Sequence, residues 1–246
     1  MRKVQKVLAL TGCAALLVVG SVAGTLAYLT SQDAVINTFT VGKVEIVLDE
    51  QNVDGKDASG NANESEARDK ANKYHLIPGE TYTKDPTVTV KNPSETSYVY
   101  MIVTVKGYDQ LTGALPESGE TASYYVKNTF LLQNLCDWQA DSPWVYRGCK
   151  VADDKKTAEY RFVFDNDTTD SPIVNPVGKV TADRTLPALF NTITVPGKHI
   201  NSNNITNLVD VEIVVDAYAI QASGFNGYND AWKAGFGNGT QDYDIN

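Results

Sequence analysis

The hydrophobic pattern of this chain changes period once, and abruptly. From Val7 to Ala23 almost every residue is apolar or small, Arg2, Lys3 and Lys6 precede the run, and no further charge occurs until Asp33. Beyond it the pattern alternates. Val35, Asn37, Phe39 and Val41 interleave with Ile36, Thr38 and Thr40, and Val44, Ile46 and Leu48 carry the apolar face onward. A period of two sends successive side chains to opposite faces of a strand. The step from Val41 to Val44 is one residue too long, with Gly42 in the gap, which predicts a bulge or tight bend within residues 34–49.

Residues 49–73 hold almost no large apolar group and read as one polar loop. Pro78-Gly79 and Asn92-Pro93-Ser94-Glu95 predict turns on either side of a strand through Val88 and Val90. Val99, Met101, Val103 and Val105 alternate with Tyr98, Tyr100, Ile102 and Thr104, a pattern apolar on both faces that predicts a central strand. Strand-like runs recur at 124–132, 144–149, 159–164, 189–195 and 209–221. Helical patterns are confined to 203–208 and 228–236. In the second, Tyr228, Trp232 and Phe236 share one face, which predicts that they dock the C-terminal segment 222–246 on the core. Many short, turn-bounded strands predict an all-β fold, an antiparallel β-sandwich with short helical insertions preceded by an N-terminal signal helix. Residues 28–246 are expected to form a single domain.

Basic residues, an apolar run and the small residues of Thr25-Leu26-Ala27 form the layout of a secretory signal spanning residues 1–27, cut between Ala27 and Tyr28. Ser21-Val22-Ala23 offers a second cleavage point. A retained anchor is the alternative, since the run is long enough to cross a bilayer. Leu10-Thr11-Gly12-Cys13 fits a lipoprotein pattern, but too few apolar residues precede it. The formal net charge of −9 becomes −12 once Arg2, Lys3 and Lys6 are removed. That balance argues against nucleic acid and anionic membrane surfaces as partners, and leaves membrane contact to the stage before cleavage. Cys136 and Cys149 remain, and in an exported chain they form either a disulfide around Trp138, Pro143 and Trp144 or two partly buried thiols.

Candidate chemistry is sparse. His75 and His199 lie in loop-like stretches outside any His-Glu-x-x-His pattern, and no Gly-x-Ser-x-Gly elbow or phosphate-binding glycine loop occurs. Asp165, Asp167 and Asp170 bring hard oxygen ligands together without the ordered spacing of a calcium loop, so a solvated acidic turn is the plainer account. These histidines and aspartates are the only metal-ligand candidates, and no cofactor is expected. Lys84-Asp85-Pro86 and Asp183-Arg184 read as ordinary surface charge. An exported chain without a catalytic constellation is expected to bind or to build.

The stretch from Gly24 to Glu50 resembles the N-terminal region of the TasA/camelysin family of Gram-positive exported proteins. The residues that carry the likeness are Gly24-Thr25-Leu26-Ala27, Tyr28-Leu29-Thr30, Asn37-Thr38-Phe39-Thr40-Val41-Gly42 and Val44-Glu45-Ile46. Leu76–Val105 resembles that family's Pro-Gly, Lys-Asp and Asn-turn strand pair, and Val211–Phe225 its closing strand, whereas residues 110–205 match no known pattern. The resemblance implies a dedicated signal peptidase of the SipW type, a jelly-roll topology, and a secreted subunit of biofilm-matrix fibres. In such fibres the freed N-terminal segment, here Val35, Asn37, Phe39 and Val41, adds as a strand to a neighbouring copy or a related matrix protein. Through camelysin it also implies a cell-surface metallo-endopeptidase as an alternative. A monomeric surface adhesin or glycan-binding sandwich is a third reading, drawn from the Tyr and Trp content.

Overall fold

The computed structural model describes residues 42–53, 68–70, 72, 74, 77–114, 135–167, 173–197, 200, 203, 205–208 and 211–236. In chain order the strands are β1 (Ile46–Gln51), β2 (Arg68–Asp69), β3 (Thr81–Thr83), β4 (Thr87–Val90), β5 (Ser97–Lys106), β6 (Trp144–Val151), β7 (Thr157–Phe164), β8 (Arg184–Thr185), β9 (Thr192–Thr194) and β10 (Glu212–Gln221). Among the described residues two helices accompany them, α1 (Tyr108–Ala114) and α2 (Tyr228–Phe236), with one 3-10 turn at Ile205–Asn207. The strands form two four-stranded sheets, ordered β2-β1-β4-β8 and β10-β5-β7-β6, and the small pair β3-β9. Every pairing among the described residues is antiparallel, so the fold is all-β with antiparallel sheets.

Strand β5 explains the architecture. Its Val99, Met101, Val103 and Val105 enter the main core beside Val88 and Val90 of β4, Trp144 of β6, and Tyr160, Phe162 and Phe164 of β7. Its Tyr98, Tyr100 and Ile102 face the other way, into a second cluster closed by Ala231 and Trp232 of α2. A strand apolar on both faces needs a cover on each, and α2 supplies the second. Trp232 packs on Tyr218 at 5.7 Å between ring centroids and on Phe236 at 4.3 Å, the docking role predicted for this segment. The Tyr100 hydroxyl donates to the Tyr228 carbonyl at the helix start. The β6–β7 ladder slips between Tyr146 and Cys149, where Gly148 adopts φ 110°, a conformation open mainly to glycine.

Three expectations change. The polar stretch 49–73 is not wholly loop: β1 continues to Gln51, and Arg68–Asp69 returns as β2. Main-chain pairing and ion pairs, described below, hold these polar residues in strands without apolar side chains. Helix α1 has no periodic signature. It is anchored by the Tyr108 N–H to Lys156 carbonyl bond of 3.0 Å and by buried Leu111. No disulfide joins Cys136 and Cys149. Cys136 bridges to Ile193 of β9, whereas Cys149 lies in β6 opposite Tyr160, and both are buried thiols. Burial pushes the Cys136 thiol up to about 12. The signal residues, Ala27, Tyr28, Val35, Asn37, Phe39, Val41 and the run 124–132 lie outside the described residues.

Candidate functional site

A cleft of about 460 Å³ opens between β1 and β10. On one wall, Lys91 donates its N–H to the Glu45 carbonyl at 2.8 Å, which sets the phase of the β1–β4 ladder. In an antiparallel pair the main-chain groups alternate in direction. Glu45, Val47 and Asp49 therefore face β4, and Ile46, Leu48 and Glu50 turn theirs away from it. Strand β2 pairs with Glu50 and Gln51, so among the described residues Ile46 and Leu48 present their amides and carbonyls to the cleft.

The opposite wall follows the same logic. Ala222 N–H donates to Thr96 C=O at 2.8 Å, and Ser97 exchanges two 2.9 Å bonds with Val177 on its far side. The even residues Glu212 to Ile220 thus bond to β5, and Ile213, Val215, Ala217 and Ala219 direct their main-chain groups to the outer edge. The side chains of these same residues, and of Ile46 and Leu48, pack against the main core. Each wall is therefore apolar beneath and open to hydrogen bonding at its rim. The cleft carries five carboxylates, from Asp49, Glu50, Asp69, Glu212 and Asp216, against the ammonium groups of Lys70 and Lys84.

The end of the cleft nearest β2 is a polar knot. Lys84 Nζ donates to Glu50 Oε2 at 2.7 Å, with the two side chains 9% and 10% exposed. Glu50 Oε1 accepts from Asn72 Nδ2 at 2.8 Å. The same Nδ2 also donates to the Gln51 carbonyl, and Asn72 Oδ1 accepts the Val53 N–H at 2.8 Å. Tyr74 places its ring 5.7 Å from Lys84 Nζ and packs edge-on against buried Tyr82. Nearby, Arg68 bridges Asp49 and Asp85, and Asp85 Oδ1 accepts the Gln51 N–H at 2.6 Å.

Lys84-Asp85 is therefore not surface charge: the lysine is buried and the aspartate fixes a strand end. A signal for this existed. Ile46, Leu48 and Glu50 share one face of a period-two run, and so do Tyr82 and Lys84, which places both charges inward. Asp183 and Arg184 are exposed surface charge as expected, and Asp183 pairs with Lys91 and accepts the Asn92 N–H at 2.9 Å. The Lys91 hydrogen bond, then that N–H, hold its carboxyl below the usual carboxylate range.

Asp165 and Asp167 are close, but in another role than ligation. Asp165 is buried, and its Oδ1 accepts the N–H groups of Asp167 at 3.0 Å and Asn175 at 2.9 Å. Among the described residues of the acidic turn, Asp165 is buried and organises the backbone, whereas Asn166 and Asp167 are exposed to solvent as expected. His75, His199 and Asp170 lie outside the described residues, and no group of three His, Cys, Asp or Glu able to hold a metal occurs among those described. No helix among them is long and apolar enough to cross a membrane. No family model, curated protein or solved structure matches this chain.

Proposed function

We propose that the chain is a secreted structural subunit of a Gram-positive-type extracellular matrix, a jelly-roll β-sandwich of the TasA/camelysin kind that assembles into filaments. Residues 28–41 of one copy add as a strand in the β1–β10 cleft of the next. The observation that carries this reading is the cleft itself, with two strand rims that offer main-chain partners over an apolar floor. Strand addition draws affinity from main-chain bonds and specificity from alternate side chains; Val35, Asn37, Phe39 and Val41 interleave with Ile36, Thr38 and Thr40, and Asp33 is the one charge in residues 28–41. Cleavage after Ala27 gives that strand an α-ammonium end, complementary to the acidic rim. A contact between unlike surfaces does not close on itself, so repetition yields filaments.

The test compares residues 28–246 with a chain lacking residues 28–40, by light scattering and negative-stain microscopy. Filaments from the first and monomers from the second are expected, with a peptide of residues 28–41 binding the truncated chain. Failure of the mature protein to polymerise, or equal polymerisation of both chains, overturns the reading.

A further inference from the structure

We propose that Glu50, Lys84 and Asn72 form a self-modifying site that joins Lys84 Nζ to Asn72 Cγ in an intramolecular isopeptide bond. The inference stands apart from the filament reading, since it rests only on the polar knot beside β2. A buried ion pair needs two groups. Here a single carboxylate holds an amine on one oxygen at 2.7 Å and a carboxamide on the other at 2.8 Å. That is the arrangement amide exchange requires: a nucleophile, an acyl group and a proton carrier between them.

The remaining contacts suit the same chemistry. Asn72 Oδ1, where negative charge develops when its carbonyl carbon is attacked, already accepts the Val53 N–H at 2.8 Å. The Glu50 and Lys84 side chains are nearly closed to solvent, with the Tyr74 ring 5.7 Å from Lys84 Nζ, and Asn72 is half-buried, so the nucleophile and the proton carrier are shielded from bulk water. Fixed proximity replaces a bimolecular encounter. The reaction turns the Lys84 ammonium into a neutral amide whose N–H can still donate to the Glu50 carboxylate that remains.

The step balances without oxidant or reductant. Glu50 takes one proton from the Lys84 ammonium, and the Nζ lone pair forms a bond to Asn72 Cγ. Glu50 returns that proton to Nδ2 as the Cγ–Nδ2 bond breaks and ammonia departs. It then takes the second proton from the new amide nitrogen and releases it to the ammonia. The product ties the segment that follows β2 to the β3–β4 connection, covalently closing residues 72–84 beside the cleft.

The test is the intact mass of purified, folded residues 28–246, followed by peptide mapping. The expected mass lies about 17 Da, one ammonia, below that of the sequence, with a branched peptide linking residues 72 and 84. Lys84→Arg, Asn72→Ala and Glu50→Gln are each expected to restore the full mass. A wild-type protein at full sequence mass overturns the proposal whatever the variants do. So does a loss of ammonia that maps elsewhere, as a succinimide at another asparagine would.

Discussion

Strands β5 and β10 are both ten residues long, lie side by side and share one unbroken register, yet they occupy opposite situations. All of β5 from Ser97 to Val103 is buried, and β10 and β7 occupy its two edges. No residue of β10 is fully buried, and its outer edge faces the cleft. The composition of the two strands does not explain this, for Ile213, Val214, Val215, Tyr218 and Ile220 are as apolar as most of β5. Position in the sheet does. A long, apolar edge strand is a template for further pairing unless something blunts it. Here Glu212 and Asp216 are the only charges on β10, and neither carries a main-chain group of the open edge. The closed strand anchors the core, and the open one leaves main-chain groups unpaired by its sheet, the edge that the proposed strand addition would use.

High pH should break the closed half most completely. Burial raises the Cys136 thiol to about 12 from an ordinary value of 9.0, and raises the Tyr100, Tyr146 and Tyr160 phenols above their usual range. The folded state keeps these protons where the unfolded chain loses them. The stability they contribute is therefore complete below pH 9 and falls as pH climbs toward 12. Denaturant titrations at stepped pH should show a midpoint flat below pH 9 and declining steeply above it, with Cys136→Ala removing the earliest part of the decline. At neutral pH, Met101→Ala in β5 should cost about 2–5 kcal/mol, as large-to-small changes in a closed core do. Val214→Ala, on the half-exposed neighbour, should cost a small fraction of that. Equal losses at the two positions would show that the strands are not energetically distinct.

The closed half was also the legible half. Alternation with apolar residues on both faces marked β5 as central, and a helical face of aromatics marked α2, because burial leaves its period in the residues buried. The open half and its polar knot were written less plainly. Strands β2 and β8 have two residues each, fixed by partners distant in sequence, as Arg68 is by Asp49 and Asp85. Glu50 and Lys84 sit at inward phases of their strands, but a charged side chain at such a position normally argues for exposure. Only the partner, 34 residues away in the chain, reverses that. Helix α1 is seven residues with one buried anchor, too short for a period to emerge.

The smallest predicted change in stability is the most informative about the cleft, and it separates two adjacent positions on one strand. Asp216 bonds through its main chain to Ile102 of β5, whereas Ala217 directs its N–H to the open edge. Proline lacks that N–H and is tolerated in a strand only where the group faces outward. Asp216→Pro removes a ladder bond and leaves a β5 carbonyl short of a partner, which should lower unfolding stability by about 1–3 kcal/mol. Ala217→Pro leaves the ladder whole and should stay within about 1 kcal/mol of the parent. Its effect should appear in assembly instead: a proline on the cleft rim deletes one donor from the edge a strand would join, so filaments should shorten or vanish while the monomer melts normally. If Ala217→Pro destabilises the monomer as much as Asp216→Pro, the alternation deduced for β10 is wrong. If the monomer is sound and filaments still form at the parent rate, strand addition does not use this edge, and the acceptor must be sought along β1.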